Sequence, residues 1–384
     1  MAETLKTLEE IKKVNVSFPY SDPAKKWKEE GKKIVGWTCI NVPEEIIHAG
    51  EMMPFRITGG NEELALGKAD EILYRGSTCS FIRTCLEHAL RGDYDFLDCI
   101  ASCTSCEGII RLTEIGEIYH NIPVLPVLDT PRKINEKAYE FYHVEVQDFK
   151  MHLEQFFDIR ISDKAIADSI KVYNRTRISL RKLYELNKKD EPAVTGSELM
   201  EILNAAVRMP REDYNLLLDN LLEEIEATGR TVVAPIRIMI SGSTFNATPF
   251  IKDVEKLGVV MVIDDFCGGI RYWWQHVEED VEPMQALAKR YLHAECPCPR
   301  TNPSTLRSNR LKEMAHEFKL DGIISLTMRN CAPYVYDLPM WKTKVEDQGI
   351  PVLDLDIEYG GGLSGQIKTR IEAFIEMLSL EVGL

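Results

Sequence analysis

Short apolar runs with strand character alternate with amphipathic helical stretches near both ends of this chain, and the two ends repeat one another. In the first half Asp95-Phe96-Leu97-Asp98-Cys99-Ile100 is followed by Cys106 and then by Asn121-Ile122-Pro123-Val124-Leu125-Pro126-Val127-Leu128-Asp129. In the second, Asp321-Gly322-Ile323-Ile324-Ser325-Leu326 is followed by Cys331 and then by Gly349-Ile350-Pro351-Val352-Leu353-Asp354-Leu355-Asp356. The proline of the Ile-Pro-Val-Leu run lies 17 residues after the cysteine in one half and 20 in the other. A shared order of strand, cysteine, helix and strand points to a duplicated unit. Strands alternating with helices build a parallel sheet covered by helices.

The pattern predicts strands over 33–37, 55–58, 96–100 and 123–128 in the first half, with helices over 43–50, 81–90 and 108–119. In the second half it predicts strands over 236–240, 259–263, 322–326 and 351–355. Helices are expected there over 250–257, 284–291, 309–318, 334–345 and 366–378. Between about 135 and 226 strand signals almost vanish, and apolar residues such as Phe149, Leu153, Phe156 and Phe157 recur at helical spacing. The expected class is α/β: two Rossmann-like parallel-sheet domains with a helical segment between or covering them. The expected boundaries are 1–134 with an N-terminal helix, 135–230 for the helical segment and 231–384.

The net charge of -15 repels phosphate backbones and argues against nucleic acid as a partner. The longest clean apolar run, 259–263, is far short of the roughly 20 residues of a membrane span. The N-terminus is charged from its third residue and lacks the apolar core of a signal peptide. A cytoplasmic location is expected, with reduced thiols.

That expectation gives weight to ten cysteines, at 39, 79, 85, 99, 103, 106, 267, 296, 298 and 331. Free cysteines often fill cores, and Cys85, Cys99 and Cys39 suit that role. Cys103, Cys106, Cys267 and Cys331 instead follow the ends of predicted strands, the edge at which open parallel sheets bind ligands. Thiols converging from two halves suggest a metal. For zinc, Cys103-Thr104-Ser105-Cys106 is the one Cys-x-x-Cys pair, Cys296-Pro297-Cys298 is too tight, and no histidine pairs convincingly with a cysteine. An iron–sulfur cluster, whose thiolate ligands need not be adjacent, fits better, with zinc and a metal-free site left open. No G-x-x-x-x-G-K-[S/T] loop is present, so the chain lacks that route to ATP.

Several stretches carry a family resemblance over essentially the whole chain. They are Asn41-Val42-Pro43-Glu44-Glu45-Ile46-Ile47-His48-Ala49-Gly50-Glu51-Met52-Met53-Pro54, Ser77-Thr78-Cys79 and Thr104-Ser105-Cys106-Glu107-Gly108 in the first half. In the second they are Asp264-Asp265-Phe266-Cys267-Gly268-Gly269, the run from Ala288 to Cys296-Pro297-Cys298, Asn330-Cys331 and the terminal helix from Gly365. In their order and spacing the sequence resembles the 2-hydroxyacyl-CoA dehydratase and benzoyl-CoA reductase family, including its double-cubane cluster proteins.

The resemblance implies two Rossmann-like domains and an iron–sulfur cofactor. Cys79, Cys106 and Cys331 match the three cysteines that hold a [4Fe–4S] cluster in dehydratase subunits. Cys267, Cys296 and Cys298 look like the extra ligands of double-cubane [8Fe–9S] members, and Cys103 is a possible substitute for Cys106. It further implies a separate homodimeric ATPase activator with its own cluster, and pairing as a homodimer or with a paralogous subunit. The implied substrate is a small molecule or a CoA thioester. Reduction is preferred over dehydration; the alternatives are a single-cluster dehydratase or reductase subunit and a non-catalytic subunit. Glu45 and His48 are candidate proton donors near the strand-end cleft, although Glu44 and Glu45 also suit the first turn of a helix.

Overall fold

Ile34–Trp37 (β1) is buried at all four positions, as a strand covered on both faces must be. In the computed structural model, which describes residues 5–60, 63–244 and 248–383, β1 pairs in parallel with Met53–Arg56 (β2) and with Cys99–Ala101 (β3). Gly36 leaves no room for a side chain: a Cβ there would lie 2.6 Å from Leu97 Cδ1 and 3.1 Å from Ile57 Cδ1. β2, which contains Pro54, is an edge strand, where a missing N–H is tolerated.

The predicted strand over 123–128 departs from regularity. It lies beside β3 and bonds to it, with Ile100 N donating to Pro123 O at 2.8 Å, Leu125 N to Ile100 O at 2.9 Å and Leu128 N to Ser102 O at 3.0 Å. It forms only isolated bridges, Ile100 to Val124 and Cys103 to Leu128. Pro123 and Pro126 supply no N–H, so a continuous ladder cannot close.

The second sheet contains Arg237–Gly242 (β4), Val260–Asp265 (β5), Gly322–Met328 (β6) and Val352–Ile357 (β7), all parallel, in the order β5-β4-β6-β7. The first sheet runs β2-β1-β3, with 123–128 beyond β3. Both halves therefore place their strands in the order second, first, third, fourth. The expected α/β class with two parallel sheets holds, and the shared order is what a duplication would leave.

Four helices fill the middle: Glu136–Phe157, Asp163–Asn187, Gly196–Ala205 and Arg211–Thr228. Their starts are locally encoded. Asn135 and Ser162 accept from the N–H groups of Ala138 and Ala165, and Thr195 with Glu198 makes a capping box. The helix Lys6–Val16, although first in the chain, packs on this group. Thr7 N donates to Glu224 at 2.9 Å, and Asn15 Nδ2 to the Glu201 carboxylate at 2.6 Å. Among the described residues no helix is long and apolar enough to cross a membrane.

The short helix Glu44–Ala49 is where the three parts meet. Glu44 and Glu45 are fully buried. Glu45 accepts from Arg177 at 2.5 Å and from the Tyr291 hydroxyl at 2.7 Å. Glu44 accepts from Tyr173 at 3.2 Å, from Arg211 at 3.1 Å and from Tyr272. Arg177, Tyr173 and Arg211 come from the middle helices, and Tyr272 and Tyr291 from the second half. Burial pushes the Glu45 carboxyl up, but Arg177, Arg290 and Tyr291 outweigh it and hold its pKa below the ordinary value. For Glu44 burial prevails over Arg211, and its pKa is raised.

Two outcomes follow in denaturant unfolding. Arg177→Ala strands a carboxylate in the interior and should cost about 3–5 kcal/mol. Arg175→Ala, which breaks the exposed pair with Asp219, should cost under about 1 kcal/mol. Because the folded pKa of Glu45 is depressed, its share of stability is complete above the unfolded value of about 4.3. That share is lost as pH falls through the folded value. The acid limb of stability against pH should therefore be shallower in Glu45→Gln than in the wild type.

Candidate metal centre

Open parallel sheets bind ligands where the strand order reverses, beyond the carboxyl ends of the strands. Here that point lies between β1 and β3 in one half and between β4 and β6 in the other. Thiols stand at both. Cys39 follows β1, Cys103 follows β3, and the Cys103 thiol is hydrogen-bonded to Cys39 across the gap. Cys331 follows β6, and its Sγ lies 3.6 Å from the hydroxyl of Ser243, which follows β4.

Three of the predicted ligands share one local placement. Cys79, Cys106 and Cys331 are the N-cap residues of the helices Ser80–Arg91, Glu107–Tyr119 and Ala332–Glu346, and none makes a side-chain cap bond. Each sulfur thus stands before a helix N-terminus, where the dipole favours negative charge. The three are near enough to repel one another as thiolates: Cys79 feels Cys331 and Cys106, and Cys106 feels Cys331. Burial is the larger cause, and it raises all three, Cys106 to about 11. The turn before Cys331 needs Asn330 in the left-handed region, at φ 64°, a conformation Asn tolerates well. Its amide donates to Arg75 O in the first half at 3.0 Å.

Cys267 and Cys298 form a second pair. The Cys298 thiol hydrogen-bonds Cys267 and, with Arg271 and Arg56 nearby, holds it down at about 5, while Cys298 is pushed up. Cys267 also lies within electrostatic reach of Cys39 and Cys331. The structure therefore brings Cys79, Cys106, Cys331, Cys267 and Cys298 into one neighbourhood, together with Cys39 and Cys103. Cys296 differs: it is buried against Arg310, with Asp265 and Glu295 nearby. Cys85 and Cys99 are buried in a helix and in β3, the core positions expected of them. Cys39, read from sequence as core filling, belongs with the strand-end thiols. The rule that singled out Cys103 would have found it, since it lies two residues past β1.

Among the described residues no three His, Cys, Asp or Glu side chains stand close enough to close on a single ion. Glu45, the other candidate donor, is buried in its pair with Arg177; burial pushes its pKa up, but the cations beside it hold it below the ordinary value. His48 sits between Ser169 Oγ, at 2.9 Å from Nδ1, and Glu212 Oε1, at 3.0 Å from Nε2.

Arg307, missed in the sequence, sets the spacing of this edge. It donates to both oxygens of Asp265 at 2.9 and 2.5 Å, to Asp337 at 2.6 Å and to Pro297 O at 3.3 Å. Those partners lie at the end of β5 just before Cys267, on the helix that Cys331 caps, and between Cys296 and Cys298. Asp264 serves the same loop, accepting from Phe266 N at 2.9 Å and Ile270 N at 3.2 Å. Only glycine fits at 269, where a Cβ would overlap the Asp264 carboxylate at 1.8 Å.

The profile of the family described as 2-hydroxyglutaryl-CoA dehydratase, D-component, matches residues 39–378. The chain is 27% identical over 358 residues to the (R)-phenyllactyl-CoA dehydratase beta subunit of Clostridium sporogenes, covering 92% of this chain and 94% of that one. It is 26% identical over 379 residues to the beta subunit of the (R)-2-hydroxyglutaryl-CoA dehydratase of Acidaminococcus fermentans, covering 97% and 98%. With a benzoyl-CoA reductase subunit of Thauera aromatica it shares 25% over 367 residues, covering 93% and 94%.

Removing Arg307 leaves Asp265 and Asp337 buried and unpaired. Arg307→Ala should cost about 3–5 kcal/mol in denaturant unfolding. Arg307→Lys should recover little of it, because one ammonium cannot span the bidentate fork and Asp337 together.

Proposed function

Since this chain belongs to the 2-hydroxyglutaryl-CoA dehydratase D-component family and is a homologue of the catalytic subunits of such enzymes, we propose that it is the iron–sulfur component of an ATP-dependent, two-component, low-potential reductase. A separate ATPase activator supplies its electrons, and the acceptor is a small molecule or an acyl-CoA. The protein works as a dimer, with a second copy or with a paralogous chain; the relatives are named as subunits, which supports the paralogous chain.

The observation that carries this reading is the mutual proximity of Cys79, Cys106 and Cys331, each at the N-terminus of a helix, drawn from both halves of the chain. The donor set suits iron and sulfide better than zinc. A single zinc ion draws all its sulfurs to about 2.3 Å of one point. These thiols are spread along one edge instead. Buried as thiolates, they call for positive charge, and three neighbouring guanidiniums carry N–H groups with no partner among the described residues. Cys79, Cys106 and Cys331 would hold one cubane. Cys267 and Cys298 would hold the second of a double-cubane [8Fe–9S] cluster, with Cys296 or Cys39 as the sixth thiolate. When bound, such a group supplies electrons at low potential.

The residues around it fix the loops. Trp37, Tyr272 and Trp273 are buried, with the Tyr272 ring against both tryptophans. Arg307 and Asp264 set the loop that carries Cys267. A second reading is a subunit of a 2-hydroxyacyl-CoA dehydratase or benzoyl-CoA reductase, as the relatives are named, with a single [4Fe–4S] cluster on Cys79, Cys106 and Cys331.

Anaerobic purification with iron and sulfide analysis decides. About eight irons per chain is expected, and about four would select the single-cluster reading. Zinc, or no metal, would end both. Cys79→Ser, Cys106→Ser and Cys331→Ser should each lower iron content. Comparing Cys39→Ser with Cys296→Ser identifies the sixth ligand as the one whose loss removes iron.

A further inference from the structure

Three guanidiniums converge on the cysteine edge of this acidic chain. Each has a backbone tether and, among the described residues, an N–H without a hydrogen-bond partner. Arg56, on β2, is 1% exposed. Its Nη1 donates to Cys267 O, in the other half, at 3.1 Å, its plane lies over Trp37, and its Nε has no partner among the described residues. Arg271 is 3% exposed, and its Nη2 donates to Gly242 O at the end of β4. Among the described residues its Nη1 has no partner, and its Nε has no hydrogen bond and stands 3.6 Å from Asp265 Oδ1. Arg300 reaches back into the first half, with Nη2 donating to Thr130 O at 2.6 Å and Nη1 to Pro131 O at 3.2 Å, and its Nε is likewise unpartnered.

Their charges fall on the thiols. Arg271 and Arg56 act on Cys267, Arg271 also on Cys298 and Cys331, and Arg300 on Cys103. A buried guanidinium left with an unmade hydrogen bond is costly. Two buried ones, Arg56 and Arg271, with the half-buried Arg300, round one group of thiols are a cost that an anionic occupant would offset. Two of the three tethers, those of Arg56 and Arg300, cross between the halves, so each arginine places charge and fixes a loop at once.

We infer that Arg56, Arg271 and Arg300 form a cationic collar that offsets the thiolate charge of the bound cluster and thereby raises its reduction potential. This inference rests on the iron–sulfur reading of the site. The physical reason is direct: adding an electron to a cluster already ringed by thiolates is opposed by their charge, and a fixed cation in a medium of low dielectric lessens that opposition. The three are positioning residues. They act on the cluster through its ligands and its charge.

The test compares anaerobically purified wild type, Arg271→Gln and Arg271→Lys by iron and sulfide content and by the midpoint potential from a redox titration followed by electron paramagnetic resonance. Arg271→Gln is expected to hold as much iron as the wild type and to titrate at a more negative potential. Arg271→Lys, which keeps the charge, should lie nearer the wild type. A fully loaded Arg271→Gln with an unmoved potential, or Gln and Lys variants displaced equally, would overturn the collar. Should Arg271→Gln fail to fold, the half-buried Arg300 gives the same comparison as Arg300→Gln against Arg300→Lys, read by the same criteria. A wild type without iron would instead fail the cluster reading, on metal content alone.

Discussion

Two buried carboxylates hold this architecture together. Glu44 and Glu45 open a six-residue helix of the first half, yet their partners are Tyr173, Arg177 and Arg211 of the middle helices and Tyr272 and Tyr291 of the second half. Burying ions this deeply is costly unless they are paired and hydrogen-bonded, as both carboxylates are here. The junction therefore tolerates one relative placement of its three parts. That placement sets the carboxyl ends of the two sheets toward a common edge, and the thiols gather there. Without the junction, each half would be an ordinary parallel sheet with cysteines at its rim.

The duplicated topology explains why the gathering works. In both halves the order of strands is second, first, third, fourth, so both have a reversal point beside their first strand. Cys39 and Cys103 flank one reversal, and Cys331 with Ser243 flanks the other. The halves are not chemically equivalent. Cys267, after β5, and the Cys296-Pro297-Cys298 loop belong to the second half alone, and Arg307 binds them into a unit with the helix that follows Cys331. A common scaffold has thus been loaded unevenly, with the buried cations concentrated on the more heavily loaded side.

Much of this was legible in the sequence. The strands at 33–37, 236–240, 259–263, 322–326 and 351–355 lie close to β1, β4, β5, β6 and β7, because residues buried on both faces leave continuous apolar runs. The helical character of the middle segment announced itself by period, while its division into four helices with caps at Asn135, Ser162 and Thr195 came from the structure. The irregularity of 123–128 was also encoded, by its two prolines. The cysteines after strand ends could be singled out because open parallel sheets present their carboxyl ends to ligands. Family resemblance added Cys79, which caps a helix and follows no strand.

What the sequence determined alone was periodicity, caps and the rank of residues along each strand, since these depend on neighbours a few positions away. Tertiary structure decided the rest. It turned Cys296 toward Arg310, joined Cys39 to the strand-end thiols and made Glu45 a clamp. It also brought Arg56, Arg271 and Arg300 within electrostatic reach of the thiols. An arginine on a strand or a loop reads as a surface cation until the fold shows what surrounds it. Its partners here lie up to 211 residues away. Burial and charge balance are properties of the assembled interior, and no local pattern carries them.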